Sequence, residues 1–252
     1  MVAGSGRALR VKIGIISDIH ANLEALEAVL RVLKDKGATR FACCGDIVGY
    51  GPDPNGCVEI IRVLDCVCVA GNHDYGVAGK TPLAGFNSTA NRAVLWTRPV
   101  LTESNRRYLE GLSLTAQEGS LFIVHSSPSA PDAWEYVLTV REAAGEMEHY
   151  RAGVCVVGHS HQPFSAERLP GKPARLVRGD SLHILPGAKY FINAGSVGQP
   201  RDGDPRACCM LYDDDEQVMV HLRVPYDIPA VQARIRAAGL PEHLASRLES
   251  GR

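Results

Sequence analysis

Five short polar clusters carry the chemistry this chain could do: Asp18-x-His20, Gly45-Asp46, Gly71-Asn72-His73-Asp74, His125 and Gly158-His159-x-His161. Carboxylate, amide oxygen and imidazole groups without thiolate suit Mn2+, Fe or Zn2+, and mixed nitrogen and oxygen sets occur in dinuclear hydrolases. Seven such groups with one shared carboxylate give about four ligands per ion and leave room for a water between the ions. Ions held this way lie ~3.5–4 Å apart and suit in-line attack at phosphorus. Any one of these residues alone fits a strand-end cap or a satisfied buried group equally well. Together at one sheet edge they would repel unless neutralised, and a cation does that.

What positions them is legible from the pattern. Each cluster directly follows an apolar, strand-like run: Val11 to Ile16, Arg40 to Cys44, Cys66 to Val69, Leu121 to Val124, and Val154 to Val157. In α/β sheets the crevice outside the carboxyl ends of the strands is where sites assemble. Leu23, Leu26, Leu30 and Leu33 recur at helical spacing before Gly37, and a second helix is predicted over about Cys57 to Leu64. The glycine- and proline-rich stretch from Gly49 to Gly56 is predicted as irregular loop.

Strand, helix, strand, helix, strand is an α/β pattern. From about Asn87 to Leu112 the chain is predicted helical, with Asn91 to Trp96 as one piece and Thr102 capping another. Thr139-x-x-Glu142 is a capping box that opens a helix to about Tyr150. The second half is β-rich: runs near 175–184, 190–193, 207–212 and 217–224 read as strands, the last two joined by the acidic turn Asp213 to Glu216. The tail from Pro229 reads as helical. No repeat, low-complexity stretch or linker divides the chain, so residues 1–252 are read as one domain, with 1–9 flexible.

The five clusters, in this order, resemble the calcineurin-like metallophosphoesterases. The match runs from Asp18 to His161, and Asn193-Ala-Gly-Ser196 is similar to a motif near the end of that fold. The resemblance implies a four-layer α/β/β/α sandwich, two central mixed sheets flanked by helices, with a dinuclear centre at the strand ends. It implies that Asp18, His20 and His161 hold one metal. It implies that Asn72, His125 and His159 hold the second, with Asp46 bridging. His73 would stand just outside the metals, protonating the leaving oxygen or binding a phosphate oxygen. Asp74 is a candidate to fix its tautomer. The ions expected are two divalent cations, Mn2+ first and Fe or Zn2+ as alternatives.

Departures within the family narrow the substrate. The phosphoprotein Ser/Thr phosphatases have an Asp-Arg pair after the second motif, where this chain reads Gly45-Asp-Ile-Val-Gly-Tyr-Gly51. What remains resembles the small bacterial phosphodiesterase and phosphatase branch, including symmetrical dinucleoside tetraphosphate hydrolases. The expected substrate is a small, nucleotide-like phosphodiester, phosphomonoester or phosphoanhydride. A phosphoprotein phosphatase and a non-catalytic scaffold on the same fold are the alternatives.

Around the centre, Tyr50 is a candidate to stack on a substrate base and Arg201 to anchor a phosphate. Gly195 and Ser196 either bring amides to a phosphate or form a simple turn. The segment over about 86–112, including Asn87, Asn91, Arg92, Trp96 and Arg98, is expected to overhang the cleft or to be plain helix surface. His149, His183, His221 and His243 fit no motif.

Composition excludes much else. With 27 Lys and Arg against 28 Asp and Glu, the net charge of -1 argues against a nucleic-acid polymer and against a polybasic membrane anchor. No apolar run approaches the roughly 20 residues of a membrane helix. Residues 1–10 lack the apolar core of a signal peptide. The eight cysteines include no C-x-x-C pair and lie mostly in apolar runs, as small buried hydrophobes in a reducing compartment. A cytoplasmic enzyme is the expectation.

Overall fold

The computed structural model describes residues 11–252. The flexibility expected of residues 1–9 lies outside the described residues. Two six-stranded sheets stack face to face. The first has the order β3 (Val67–Cys68), β2 (Arg40–Cys43), β1 (Lys12–Ile16), β11 (Ala207–Asp213), β12 (Val218–Val224), β9 (Ser181–His183). The second runs β4 (Thr115–Glu118), β5 (Leu121–Val124), β6 (Val154–Val157), β10 (Lys189–Asn193), β7 (Phe164–Arg168), β8 (Arg175–Val177). Each sheet contains a parallel trio, β1–β2–β3 and β5–β6–β10, and is completed by antiparallel strands. This is the four-layer sandwich.

The strands are apolar throughout because both faces are covered. Ile13 and Ile15 point into the core between the sheets, with Val154, Val156, Tyr190 and Ile192 opposite. Ile16 and Cys43 point the other way, against α1 (Leu23–Asp35) and α2 (Pro54–Val63). On the outer face of the second sheet, Cys155 and Val157 pack with Ala143 and Met147 at α6 (Val140–Glu146). A satellite core joins α4 (Ser88–Val100) to α7 (Ile228–Ala237) and α8 (Glu242–Ser246) and holds Tyr50 against them. It sets the tail beside the sheet edge where the polar clusters emerge.

Several boundaries differ from the sequence reading. The stretch read as loop to Gly56 already turns helical at Pro54, whose locked φ suits a first helical turn. The run near 175–184 is two strands in different sheets, β8 and β9. The capping-box helix stops at Glu146 rather than near Tyr150. Two further helices, α3 (Asn72–Ala78) and α5 (Glu103–Gly111), complete the set, and Thr102 caps the latter as predicted. Among the described residues no helix is long and apolar enough to cross a membrane.

Candidate metal centre

The parallel trios place the carboxyl ends of β1, β2, β3, β5 and β6 at one edge, and the loops that leave them converge there. Asp18 N–H donates to the Gly45 carbonyl (3.0 Å) and His20 N–H to the Asp46 carbonyl (2.9 Å), so the first two loops are laced together. His159 N–H donates to Asp18 Oδ2 (3.0 Å), lacing the second sheet to the first, and Gly158 N–H donates to the His125 carbonyl (3.0 Å), tying the two loops of the second sheet together. Such approach leaves no room for a Cβ at two points. A methyl at Gly158 would lie 1.9 Å from Ser17 Oγ, and one at Gly71 would lie 2.1 Å from Asp46 Oδ1.

The backbone is strained where the ligands sit. Asp18, His20, Asp46, His159 and His161 all have φ between 50° and 65°, the left-handed region that non-glycine residues avoid. Five of the seven expected ligands hold that conformation. Surrounding hydrogen bonds over-determine it, and the side chains are thereby aimed inward.

The seven candidates come together. Asp18, His20 and His161 form one group whose ligand atoms all lie within 4.8 Å of one another; Asp46, His125 and His159 form another. His161 Nε2 is 3.2 Å from Asp18 Oδ1, and His125 Nε2 is 3.4 Å from Asp46 Oδ2. His20 Nε2 reaches both carboxylates, at 3.9 Å from Asp18 and 3.6 Å from Asp46, which puts Asp46 between the two groups. Asn72 has its Oδ1 buried and without a hydrogen-bond donor. His73 also falls within a triad with His20 and Asp46, closer to the centre than a position outside it.

Every histidine of the two groups is oriented by the main chain. His20 Nδ1 donates to the Val48 carbonyl (3.2 Å), His125 Nδ1 to Cys44 (2.7 Å), His161 Nδ1 to Gln199 (2.6 Å) and His159 Nε2 to Trp134 (2.8 Å). A carbonyl only accepts, so the hydrogen sits on that nitrogen and the neutral ring turns its lone pair toward the carboxylates. The consequence is two lone-pair encounters: His20 Nε2 with His161 Nε2, and His125 Nε2 with His159 Nδ1, each at 3.1 Å. Such pairs repel unless a cation or a proton stands between them. The donor set and the orphaned Asn72 oxygen fit divalent metal.

Without metal, charge is settled by protons. Burial pushes Asp46 up, but the neighbouring His125 and His73 hold it well below the carboxylate range. Burial opposes charge on His125 as well, yet Asp46 beside it raises the imidazolium to about 10. His159 and His73 are pushed down, to about 3 and about 4, mainly by burial. A proton on His125 Nε2 and a bound cation are thus alternative ways to relieve its encounter with His159.

Asp74 does not orient His73. Its carboxylate accepts from the Asp46, Val48 and Gly71 amides at 2.8, 3.2 and 3.0 Å, clamping the β2 loop to the first turn of α3. Burial and the Asp46 charge push it up to about 7 against those donors. His73 Nδ1 is buried without a partner, and its ring lies 4.4 Å from Tyr50 and 5.1 Å from Phe86.

A pocket opens over the centre, lined by Asp46, Asn72, His73, His159, His161 and Arg201. Tyr50 lines it too, but only 7% exposed, with its ring 4.6 Å from His20; it packs the wall. Asn87 and Ala90 also line it, so the start of α4 overhangs the cleft. The rest of that segment is anchored elsewhere: Trp96 Nε1 donates to the Ala238 carbonyl and Arg98 to the Gly76 carbonyl. Gly195 and Ser196 form a turn that braces the site, since Ser196 Oγ donates to the Asp18 carbonyl (2.8 Å) and accepts from Gln199 N–H.

Sequence reasoning missed Trp134 and Tyr136. The first supplies the carbonyl that orients His159, and the second stacks on the His159 ring at 4.2 Å. Both lie in an irregular stretch with no spacing signal; two aromatics shortly after a candidate ligand were the only hint.

The sequence of residues 11–216 matches the calcineurin-like phosphoesterase superfamily domain. An uncharacterized protein of Methanocaldococcus jannaschii is 41% identical over 244 residues, 95% of this chain and 98% of its own. A metallophosphoesterase from Sphaerobacter thermophilus superposes with a TM-score of 0.84 at 42% identity, covering 96% of this chain and all of its own. The phosphodiesterase YfcE of Escherichia coli is 26% identical over 214 residues, 81% of this chain and 89% of its own.

Proposed function

The chain belongs to the calcineurin-like phosphoesterase superfamily, and from that premise we propose that it hydrolyses a small phosphorylated substrate at a two-metal centre. The observation that carries this reading is the paired encounter of imidazole lone pairs across Asp46, with the Asn72 oxygen left open beside them. Asp18, His20 and His161 would hold one ion, and Asn72, His125 and His159 the other, with Asp46 between. Bound ions of this kind supply Lewis acidity and a water made nucleophilic at neutral pH. Mn2+ suits the carboxylate, amide and imidazole set, with Fe or Zn2+ as alternatives.

The protein's own residues do the rest. Main-chain carbonyls fix each imidazole so that no reorientation accompanies binding. His73 is held neutral by burial and stands at the pocket, where its ring N–H suits a phosphate oxygen. Arg201 lines the same pocket and provides a guanidinium for a non-reacting oxygen. The pocket, about 60 Å³, is of a size to take one phosphoryl group. A nucleic-acid polymer is not part of this proposal.

Turnover of a chromogenic phosphodiester and a chromogenic phosphomonoester, side by side with Mn2+, tests the reading. Metal-dependent hydrolysis supports it, and the ratio of the two rates chooses between diesterase and monoesterase. Folded protein that turns over neither substrate with any divalent ion would leave the scaffold reading in its place.

A further inference from the structure

Next to the pocket over the centre lies a second cavity of about 310 Å³, which shares Tyr50, Asn87 and Arg201 with it. Its far side is made by His243 and Arg247 from the tail and by the first turn of α4. No carboxylate lines it. The Arg201 side chain donates to the amide oxygen of Gln199, at 2.9 and 3.3 Å, and packs beside Tyr50, its guanidinium 5.8 Å over that ring. Arg247 uses Nε on the backbone oxygen of Arg252 (2.5 Å). Neither guanidinium pairs with a side-chain carboxylate among the described residues.

Several arginines elsewhere in the fold do find a carboxylate. Arg106, Arg206, Arg223, Arg234 and Arg236 each pair with one or more carboxylates. The two that face this cavity instead face each other: burial and the Arg201 charge lower Arg247 to about 10. Two guanidiniums that line one half-open cavity without a side-chain carboxylate partner make it complementary to an anion. The Ser88 and Thr89 amides of α4, which have no acceptor within the helix, add donors on the third side, while the Ala90 amide is capped by Asn87 Oδ1.

We infer that Arg201 and Arg247 form a second anion subsite, which binds a further phosphoryl group of a substrate whose scissile phosphorus lies over the metal centre. The substrate class is then one with at least two phosphoryl groups in a chain, a phosphoanhydride rather than a lone phosphoester. Its meaning for catalysis rests on the phosphoesterase reading; the binding site does not.

Calorimetric titration of the full chain with inorganic tripolyphosphate and with orthophosphate tests this, with metals removed by chelator so that no hydrolysis intrudes. Tripolyphosphate is expected to bind at least about tenfold tighter than orthophosphate. Arg247→Gln removes that preference, and Arg247→Lys keeps part of it. Arg201→Gln removes it independently from another loop, should Arg247→Gln fail to fold. Equal affinity for the two anions in the natural chain, or a preference untouched by both glutamine variants, overturns the subsite. Absence of turnover with metal would strike the phosphoesterase reading alone, because the titration reads binding and not hydrolysis.

Discussion

The strand-end centre and the arginine-lined rim are neighbours built on opposite principles. In the centre, five of the seven candidate ligands sit on left-handed backbone, each imidazole of the two groups is tied to a carbonyl, and the carboxylates are buried. At the rim, Arg201 comes from a loop and Arg247 from the tail, both partly exposed, and they rest on an amide side chain, the Tyr50 ring and a backbone oxygen. The first region is fixed by main-chain hydrogen bonds and the second by contacts of long side chains. Chemistry that tolerates no misplacement belongs in the first, and substrate choice in the second.

The largest effect should come from the group shared by both halves of the centre. Asp46→Asn removes a charge that faces His20 and His125 and is expected to lower Mn2+-dependent phosphoesterase turnover by about a thousandfold or more. Turnover within tenfold of the natural chain would mean that the two halves do not share Asp46. Initial-rate kinetics on a chromogenic diester settles which.

Asp74→Ala sharpens the comparison from the structural side, because this carboxylate touches no ring. Three buried amides lose their acceptor, and the cost is expected to be about 3–5 kcal/mol of stability, read as a lower denaturant midpoint. A shift below about 1 kcal/mol would show that the clamp between the β2 loop and α3 is dispensable.

A small effect is expected where the centre meets the rim. Tyr136 stacks on His159 but is 52% exposed, and the Trp134 carbonyl orients that ring without it. Tyr136→Ala should change kcat/KM by only about two- to fivefold. A hundredfold loss would move Tyr136 into the set that fixes the centre.

How much of this the sequence discloses follows the same division. All seven centre residues were readable because each follows an apolar run that had to be a buried strand, and strand ends in this architecture converge. The left-handed backbone at Asp18 or His159 was not readable, since neither residue type advertises it. Strand β7 was hidden by Ser165 and Glu167, polar residues that are nonetheless buried, and β4 by its lack of any apolar alternation. Residues Asn72 to Asp74 carry no helical spacing signal, although they form the first turn of α3. Arg247 was invisible for a different reason: its significance depends on α8 packing beside Tyr50, a contact between distant parts of the chain.

The most direct test of the central claim is a metal count. The natural chain and Asp46→Asn would each be stripped, dialysed against Mn2+ and analysed by elemental mass spectrometry for metal per chain. Two equivalents in the natural chain and no more than one in the variant is the predicted result. A natural chain that holds no more metal than the variant would contradict a two-metal centre bridged by Asp46.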